Sequence, residues 1–372
     1  MVSLIIFPTF INQNLLKTKT RKKHMLTTRR KQQIGNVLNV GKKGLQRLWQ
    51  EVEPSLKKGC QKAIETGRKF RDTSNSTIDE LLDYYSYSGL VGEENLAILQ
   101  TLCLIHNKCF GIYSESGSGK SFAVEKALEL IPENWIYRLE LCSKTAVYYD
   151  EKVINQARII YIPELQKAMQ TNPLITEMLK TISEGRDATR KVTSIGGAVD
   201  TYKIQAGKGI VFTLATENSF MYDAELARRF LIFETDTSQE QTLKILQKKA
   251  EARYETEKDY SELKRHIRNC MQPMKFENPF IEEVASQIPP TLLARTYSDH
   301  LFDLFEASAR FNYKRRDLIE GKIVVDLEDV ELIKNIFWDR FIKTLGCEPS
   351  EYPLTSFSVH HAKEKSPTSY NL

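Results

Sequence analysis

The eight residues SESGSGKS, Ser114 to Ser121, constrain this chain more than any other stretch. They follow an apolar run, Cys109 to Tyr113, that predicts a short buried strand, and they precede FAVEKALELI, whose apolar spacing predicts a helix. A glycine-rich turn between a strand and a helix lets backbone amides and the helix N-terminus face a polyphosphate. In that reading Ser116, Gly117, Ser118 and Gly119 form the cradle, Lys120 neutralises the outer phosphates, and the Ser121 hydroxyl is free to ligate Mg2+. The pattern departs from G-x-x-x-x-G-K-[ST] at its first position, where Ser114 replaces glycine.

Composition narrows the setting. With 372 residues, 41% hydrophobic and 27% charged, the chain can bury a sizeable core, and its length suits two to three domains. No apolar run approaches the roughly 20 residues of a membrane span, so no membrane partner is expected. The opening VSLIIFPTFI is interrupted by Pro8 and has its basic cluster after the apolar stretch, the reverse of a secretory signal; it reads as a disordered or mis-assigned start, with Met25 as an alternative first residue. Six cysteines without a C-x-x-C pair and six histidines without an H-E-x-x-H array predict no zinc and reduced thiols in a cytoplasmic setting.

The net charge of +5 hides an asymmetry, because residues 1–72 hold 17 Lys and Arg against 4 Asp and Glu, a net of +13 that leaves −8 for the remainder. Within KTKTRKKHMLTTRRK, residues 17–31, nine of fifteen positions are Lys, Arg or His. Arg21, Lys22, Lys23, Arg29 and Arg30 there are either a solvated arm or sequence-independent contacts to DNA phosphates. We therefore separate a basic, partly disordered arm, 1–75, from a nucleotide-binding core, 76–236. A helical lid follows over 237–345, and 346–372 reads as a disordered tail.

Strands alternating with helices through the core predict a parallel sheet covered on both faces. WIYRLEL, Trp135 to Leu141, is a second strand. IIYIPE ends a third, Ile159 to Ile162, on Pro163 and Glu164, where a carboxylate is placed to serve as base and near the metal. An exposed Glu opening a helix behind a proline is the plainer alternative. LITEMLKTISE predicts an amphipathic helix, and two β-prone runs, Thr189 to Ile195 and Val199 to Gln205, flank Gly196 and Gly197 as a hairpin. Its Arg190, Lys191 and Lys203, with Arg186 beside them, are either solvated or in contact with DNA. GIVFTLATEN ends on Asn218, a water-orienting residue or a turn former; DAELARRFLIFETD carries Arg228 and Arg229, surface charge or a guanidinium offered to a neighbouring subunit's phosphate. After Asp236 the reading is all-helical: QEQTLKILQKKAEARYE, a helix over 291–312 containing Arg295, and VDLEDVELIKNIFWDRFI.

From about Gly89 to Phe337 this succession resembles the AAA+ P-loop ATPases, most closely the minichromosome maintenance helicase branch, on SGSGKS, IIYIPE, the GG hairpin before TLATEN, ELARRF and VDLEDVELIKNIF. It is also similar to the ATPase portion of primase-like proteins of mobile elements, on VGEEN and ELARRFLIFETDTSQEQT. The resemblance implies an α/β fold, an AAA+ core with a parallel sheet and hairpin insertion followed by a helical lid. It implies ATP and Mg2+ as ligands, with Lys120 and Ser121 on nucleotide and metal and Glu164 activating water beside the metal. Asn218 would be sensor one, Arg229 the trans-acting finger with Arg228 as fallback, and Arg295 sensor two. The expected activity is a homo-oligomeric, hexamer-like ATP-driven motor on DNA in replication or mobile-element maintenance. A protein remodeller and a slowly hydrolysing DNA-binding switch are the alternatives, the last because Pro163 stands where most such enzymes place an aspartate.

Overall fold

Parallel strands buried on both faces need a continuous apolar run rather than alternation. Two stretches meet that condition fully, IIYI at 159–162 and GIVFTL at 209–214, and both are buried at every position. They become central strands. The computed structural model describes residues 77–139, 146–193, 199–215, 228–251 and 257–354. These lie in one compact unit, Asn75–Leu372; the other, Met1–Ser74, falls outside the described residues and takes the basic arm with it.

The order begins with α1 (Thr77–Tyr87), α2 (Glu94–Ile105), β1 (Phe110–Tyr113), α3 (Lys120–Leu128) and β2 (Ile136–Arg138). There follow α4 (Ala146–Tyr149), α5 (Glu151–Gln156), β3 (Ile159–Ile162), α6 (Leu165–Thr171), α7 (Pro173–Ser183), β4 (Ala188–Thr193), β5 (Val199–Ile204), β6 (Gly209–Leu214) and β7 (Leu231–Glu234). The remainder comprises α8 (Gln239–Glu251), α9 (Ser261–Cys270), β8 (Phe276–Glu277), α10 (Ile281–Ala285), α11 (Ala294–Phe311), β9 (Leu318–Ile319), β10 (Lys322–Val324) and α12 (Leu327–Thr344). The main sheet has the order β2-β3-β6-β1-β7, with each of its pairs parallel. This is the α/β architecture expected from the sequence.

Successive side chains on a strand point to opposite faces, so the sheet divides its core in two. Ile159 and Tyr161 join one cluster with α1, α2, α3 and α9 to α12; Ile160 and Ile162 join the other with α6, α7 and the root of the β4–β5 ribbon. The largely apolar α2, buried from Leu96 to Ile105, packs between α1 and α11. The C-terminal helices thus share one hydrophobic cluster with the sheet.

Two features of this region differ from the sequence reading. The helical segment also carries a three-stranded sheet, β8-β10-β9, whose strands of two or three residues are too short for periodicity to register. The first residues assigned to the tail are ordered against the core instead: Leu354 is buried, and Trp338 Nε1 donates to the Tyr352 carbonyl at 2.8 Å. At the start of α12, Asp326 and Asp329 form a capping box. Asp329 is fully buried and accepts from Arg316 Nε (2.6 Å) and Nη2 (2.8 Å) and from Ser308 Oγ (2.7 Å). Among the described residues no helix is long and apolar enough to cross a membrane.

Candidate nucleotide site

Because the strands of the main sheet run parallel, their C-terminal ends share one edge, the edge at which open α/β sheets bind ligands. β1 runs into Ser114 there, and β3 runs into Pro163 and Glu164. The backbone N–H of Ser114 donates to the Leu214 carbonyl (3.3 Å), continuing the β1–β6 ladder by one residue. Ser114 is buried and does not adopt a positive φ, so this first motif position places no demand for glycine.

Gly117 and Gly119 do carry that demand. Their φ angles are +86° and +90°, and a Cβ on either would meet no atom within 4 Å, so it is the backbone angle and not lack of room that selects glycine. Gly119 is the N-cap of α3, and its carbonyl accepts from Ala123 N–H (2.9 Å). The first amides of α3 have no partner within the helix, and its dipole favours an anion at that end. Lys120 Nζ reaches back to the Glu115 carbonyl (2.9 Å). Burial pulls the Lys120 ammonium below its usual pKa, and the Glu164 carboxylate opposes that shift, which brings the two predicted residues into one electrostatic neighbourhood. The Ser118 hydroxyl is buried without a hydrogen-bond partner among the described residues. Ser116 and Ser121 are exposed on the same loop.

Glu164 is the N-cap of α6, exposed, with its carboxylate 3.6 Å from Lys167 Nζ. The neighbouring Pro163 contributes only its carbonyl, which accepts from the Thr213 hydroxyl of β6. Nothing in the sequence marks Thr213; its partner lies 50 residues away, and no local pattern announces the pair. Asn218 lies outside the described residues.

The arginine pair sits in the turn before β7. Arg228 is exposed, and its carbonyl faces His300 Nε2 of α11 at 3.3 Å. Arg229 points inward: its side chain is 9% exposed, forms an ion pair with Glu184 and donates to the Lys180 carbonyl (3.1 Å) at the C-terminal turn of α7. Glu184 also pairs with Arg186 at the root of the β4–β5 ribbon, so one carboxylate joins the arginine turn to the hairpin. As a finger, Arg229 would have to leave this pairing. Arg295 is exposed in the first turn of α11.

The two β-prone runs pair as an antiparallel ribbon, from Ala188 opposite Ile204 to Thr193 opposite Val199, with its glycine tip outside the described residues. Its basic surface is smaller than its sequence suggests. Arg190 is half-buried, 5.8 Å over the Tyr148 ring, and Lys203 is paired with Asp187 (2.7 Å), leaving Lys191 exposed on the outer face. Asn155 of α5 grips β5, donating to the Lys203 carbonyl and accepting from the Gln205 N–H, both at 2.8 Å.

The two stretches that carry the primase-like resemblance meet. Glu93 of VGEEN accepts from the Asp236 N–H (2.7 Å), and Gln241 Nε2 donates to the Val91 carbonyl (2.6 Å). Burial pushes the Glu93 carboxyl up to about 7.

His106, Asp303 and Glu306 converge at another point, with donor atoms within 4.8 Å of one another. Arg310 Nε donates to His106 Nδ1 (3.2 Å), so the proton of the neutral ring sits on Nε2, the atom facing both carboxylates. That nitrogen is a donor rather than a ligand, and Lys108 is paired with Asp303. Burial, then Arg310 and Lys108, push His106 down to about 3, so it stays neutral in an ion network.

Residues 97–268 match the family described as the MTBMA_p00010 P-loop domain, a span that contains β1, the glycine loop, β3 and β6. No curated protein matches the chain. Motif, sheet position and family match agree that this chain carries a P-loop nucleotide-binding domain of the kind found in NTPases.

Proposed function

We propose that the chain is an ATP-hydrolysing AAA+ motor that works on DNA as a homo-oligomer, in replication or mobile-element maintenance. The observation that supports it most is the placement of the glycine loop after β1 and of Glu164 after β3, both at the C-terminal edge of the parallel sheet. A phosphate oxygen would replace the Glu115 carbonyl on Lys120, while the glycine-shaped loop and the Ser118 hydroxyl, which has no partner among the described residues, supply further donors. Ser121 and Glu164 offer oxygen ligands, the type Mg2+ prefers, so they would hold the metal; bound there it would neutralise charge on the phosphates. Glu164, exposed and hydrogen-bond capable, would take the proton of the attacking water. Asn218 would orient that water, Arg228 or a released Arg229 would reach the neighbouring subunit's nucleotide, and Arg295 would sense it from the lid.

One observation favours a slower switch as the second reading. At position 163 there is no carboxylate, and the carbonyl present is engaged by Thr213, so metal binding rests on fewer protein ligands than in most such sites. Steady-state ATPase assays with and without single-stranded DNA separate the readings. The motor predicts DNA-stimulated turnover that Glu164→Gln lowers by about 10²–10⁴-fold with nucleotide binding retained. Binding without DNA-stimulated turnover supports the switch, and parental turnover by Glu164→Gln removes the base assignment.

A further inference from the structure

The main sheet has a second edge, opposite the glycine loop, where β2 and β3 begin. Trp135 and Arg158 precede these strands, and the Arg158 N–H donates to the Trp135 carbonyl (2.8 Å). Arg158 also lies 4.1 Å over the Trp135 ring and spends one guanidinium nitrogen on the Met271 carbonyl, just past α9. Arg268 of α9 approaches the same ring at 5.8 Å. Two guanidiniums are thereby held against one indole.

At about 100° per residue, Leu263, His266, Ile267 and Cys270 fall on one side of α9 and are buried, while Lys264, Arg265 and Arg268 fall within about a 100° sector on the other and are exposed. The far flank of the helix is basic too. Tyr313 stacks on His266 (5.7 Å, 12°), bringing in the one-turn helix Tyr313–Arg315 with Lys314 exposed and Arg315 beside it. Both cations stand close enough to help depress His266 ionisation, after burial. The acids on this helix and its N-terminal turn are Glu262, paired with Arg265, and Asp259, whose carboxylate accepts from the Ser261 N–H (2.9 Å) and hydroxyl (3.0 Å). Cations outnumber them on a body whose sequence past residue 72 is net −8.

We propose that the exposed face of α9, flanked by Arg158 and Lys314, binds the phosphate backbone of nucleic acid. Charge complementarity selects the partner. A guanidinium held over Trp135, as Arg158 is, and a second approaching the same ring are ordered in advance, which reduces the entropy lost on binding a phosphate. This surface rests on the DNA reading above but moves its contacts away from the β4–β5 ribbon, whose Arg190 and Lys203 are already engaged. Contacts of this kind hold the duplex without reading bases.

The test measures affinity of the full chain for a fluorescein-labelled DNA duplex across a salt series. Lys264→Glu/Lys314→Glu should lower the slope of log affinity against log salt by about two, and Lys264→Gln/Lys314→Gln should do the same without added repulsion. A charge-matched control on α12, Lys334→Glu/Lys343→Glu, should leave the slope in place, and ATP binding should be retained by all three. If both α9 variants keep the parental slope while deletion of residues 1–31 flattens it, the α9 surface is refuted and the DNA reading stands. If the parental chain binds no duplex at low salt, or binds only anionic phospholipid vesicles, both fall.

Discussion

The start of α12 and the glycine loop are both places where charged side chains gather at a helix N-terminus, and they are finished in opposite ways. Around Asp329 both carboxylate oxygens are taken by Arg316, with Ser308 and the Asp326 N–H added, and the group is fully buried. Around Lys120 the ammonium has a backbone carbonyl, and the buried Ser118 hydroxyl has no partner among the described residues. A buried ion pair with every lone pair met holds one geometry. A helix end whose donors stay open is arranged to exchange its present contacts for a ligand's. The first region is expected to govern stability, the second binding.

Breaking the Asp329 cluster should therefore give the largest stability effect. Asp329→Ala leaves Arg316 buried without its main partner and removes half of the capping box, at a cost of about 3–5 kcal/mol in urea unfolding. The chain that remains folded should bind nucleotide with parental affinity.

The arginine turn is an intermediate case that sharpens the contrast. Arg229 is enclosed by Glu184 and the Lys180 carbonyl, whereas Arg228 is exposed. Arg229→Ala should destabilise by about 1–3 kcal/mol, a lost charged hydrogen bond with its partner left behind. Arg228→Ala should stay within about 0.5 kcal/mol of the parent, as surface changes do. If Arg228 is the finger, its variant should nonetheless lose ATPase activity, and mixing it with Lys120→Ala should restore part of that activity at mixed interfaces. Equal destabilisation by both substitutions would contradict the different burial of the two side chains.

The readability of these regions from sequence follows the range of their interactions. The glycine loop needs two positive φ angles and a cation within eight consecutive residues, so its physics is written locally in Gly117, Gly119 and Lys120. The ribbon is similar, since its glycine pair lies between runs that pair in register. The contacts that restrain Arg229 come from residues 45 and 49 positions earlier, and neither Glu184 nor Lys180 is distinguished from an ordinary helix-end charge until the chain folds. The same holds for Arg158 and Met271, 113 residues apart, and for the short strands β8 and β9, whose pairing with β10 replaces any pattern of their own. Ser114 shows the converse: a departure from the motif that is visible in the sequence occupies a strand-like position where a side chain is accommodated.

The central claim is that the glycine loop is a nucleotide site whose principal cation is not part of the protein's own stabilising network. It is tested most directly by measuring ATP binding by calorimetry and thermal unfolding on the same preparations of the parental chain and Lys120→Ala. The expected result is micromolar-range binding by the parent, on the order of −8 kcal/mol, loss of detectable binding in the variant, and unfolding transitions that coincide in the absence of ATP. Added ATP should raise the transition of the parent alone. Retained ATP binding by Lys120→Ala, or a variant that unfolds well below the parent without nucleotide, would contradict the account.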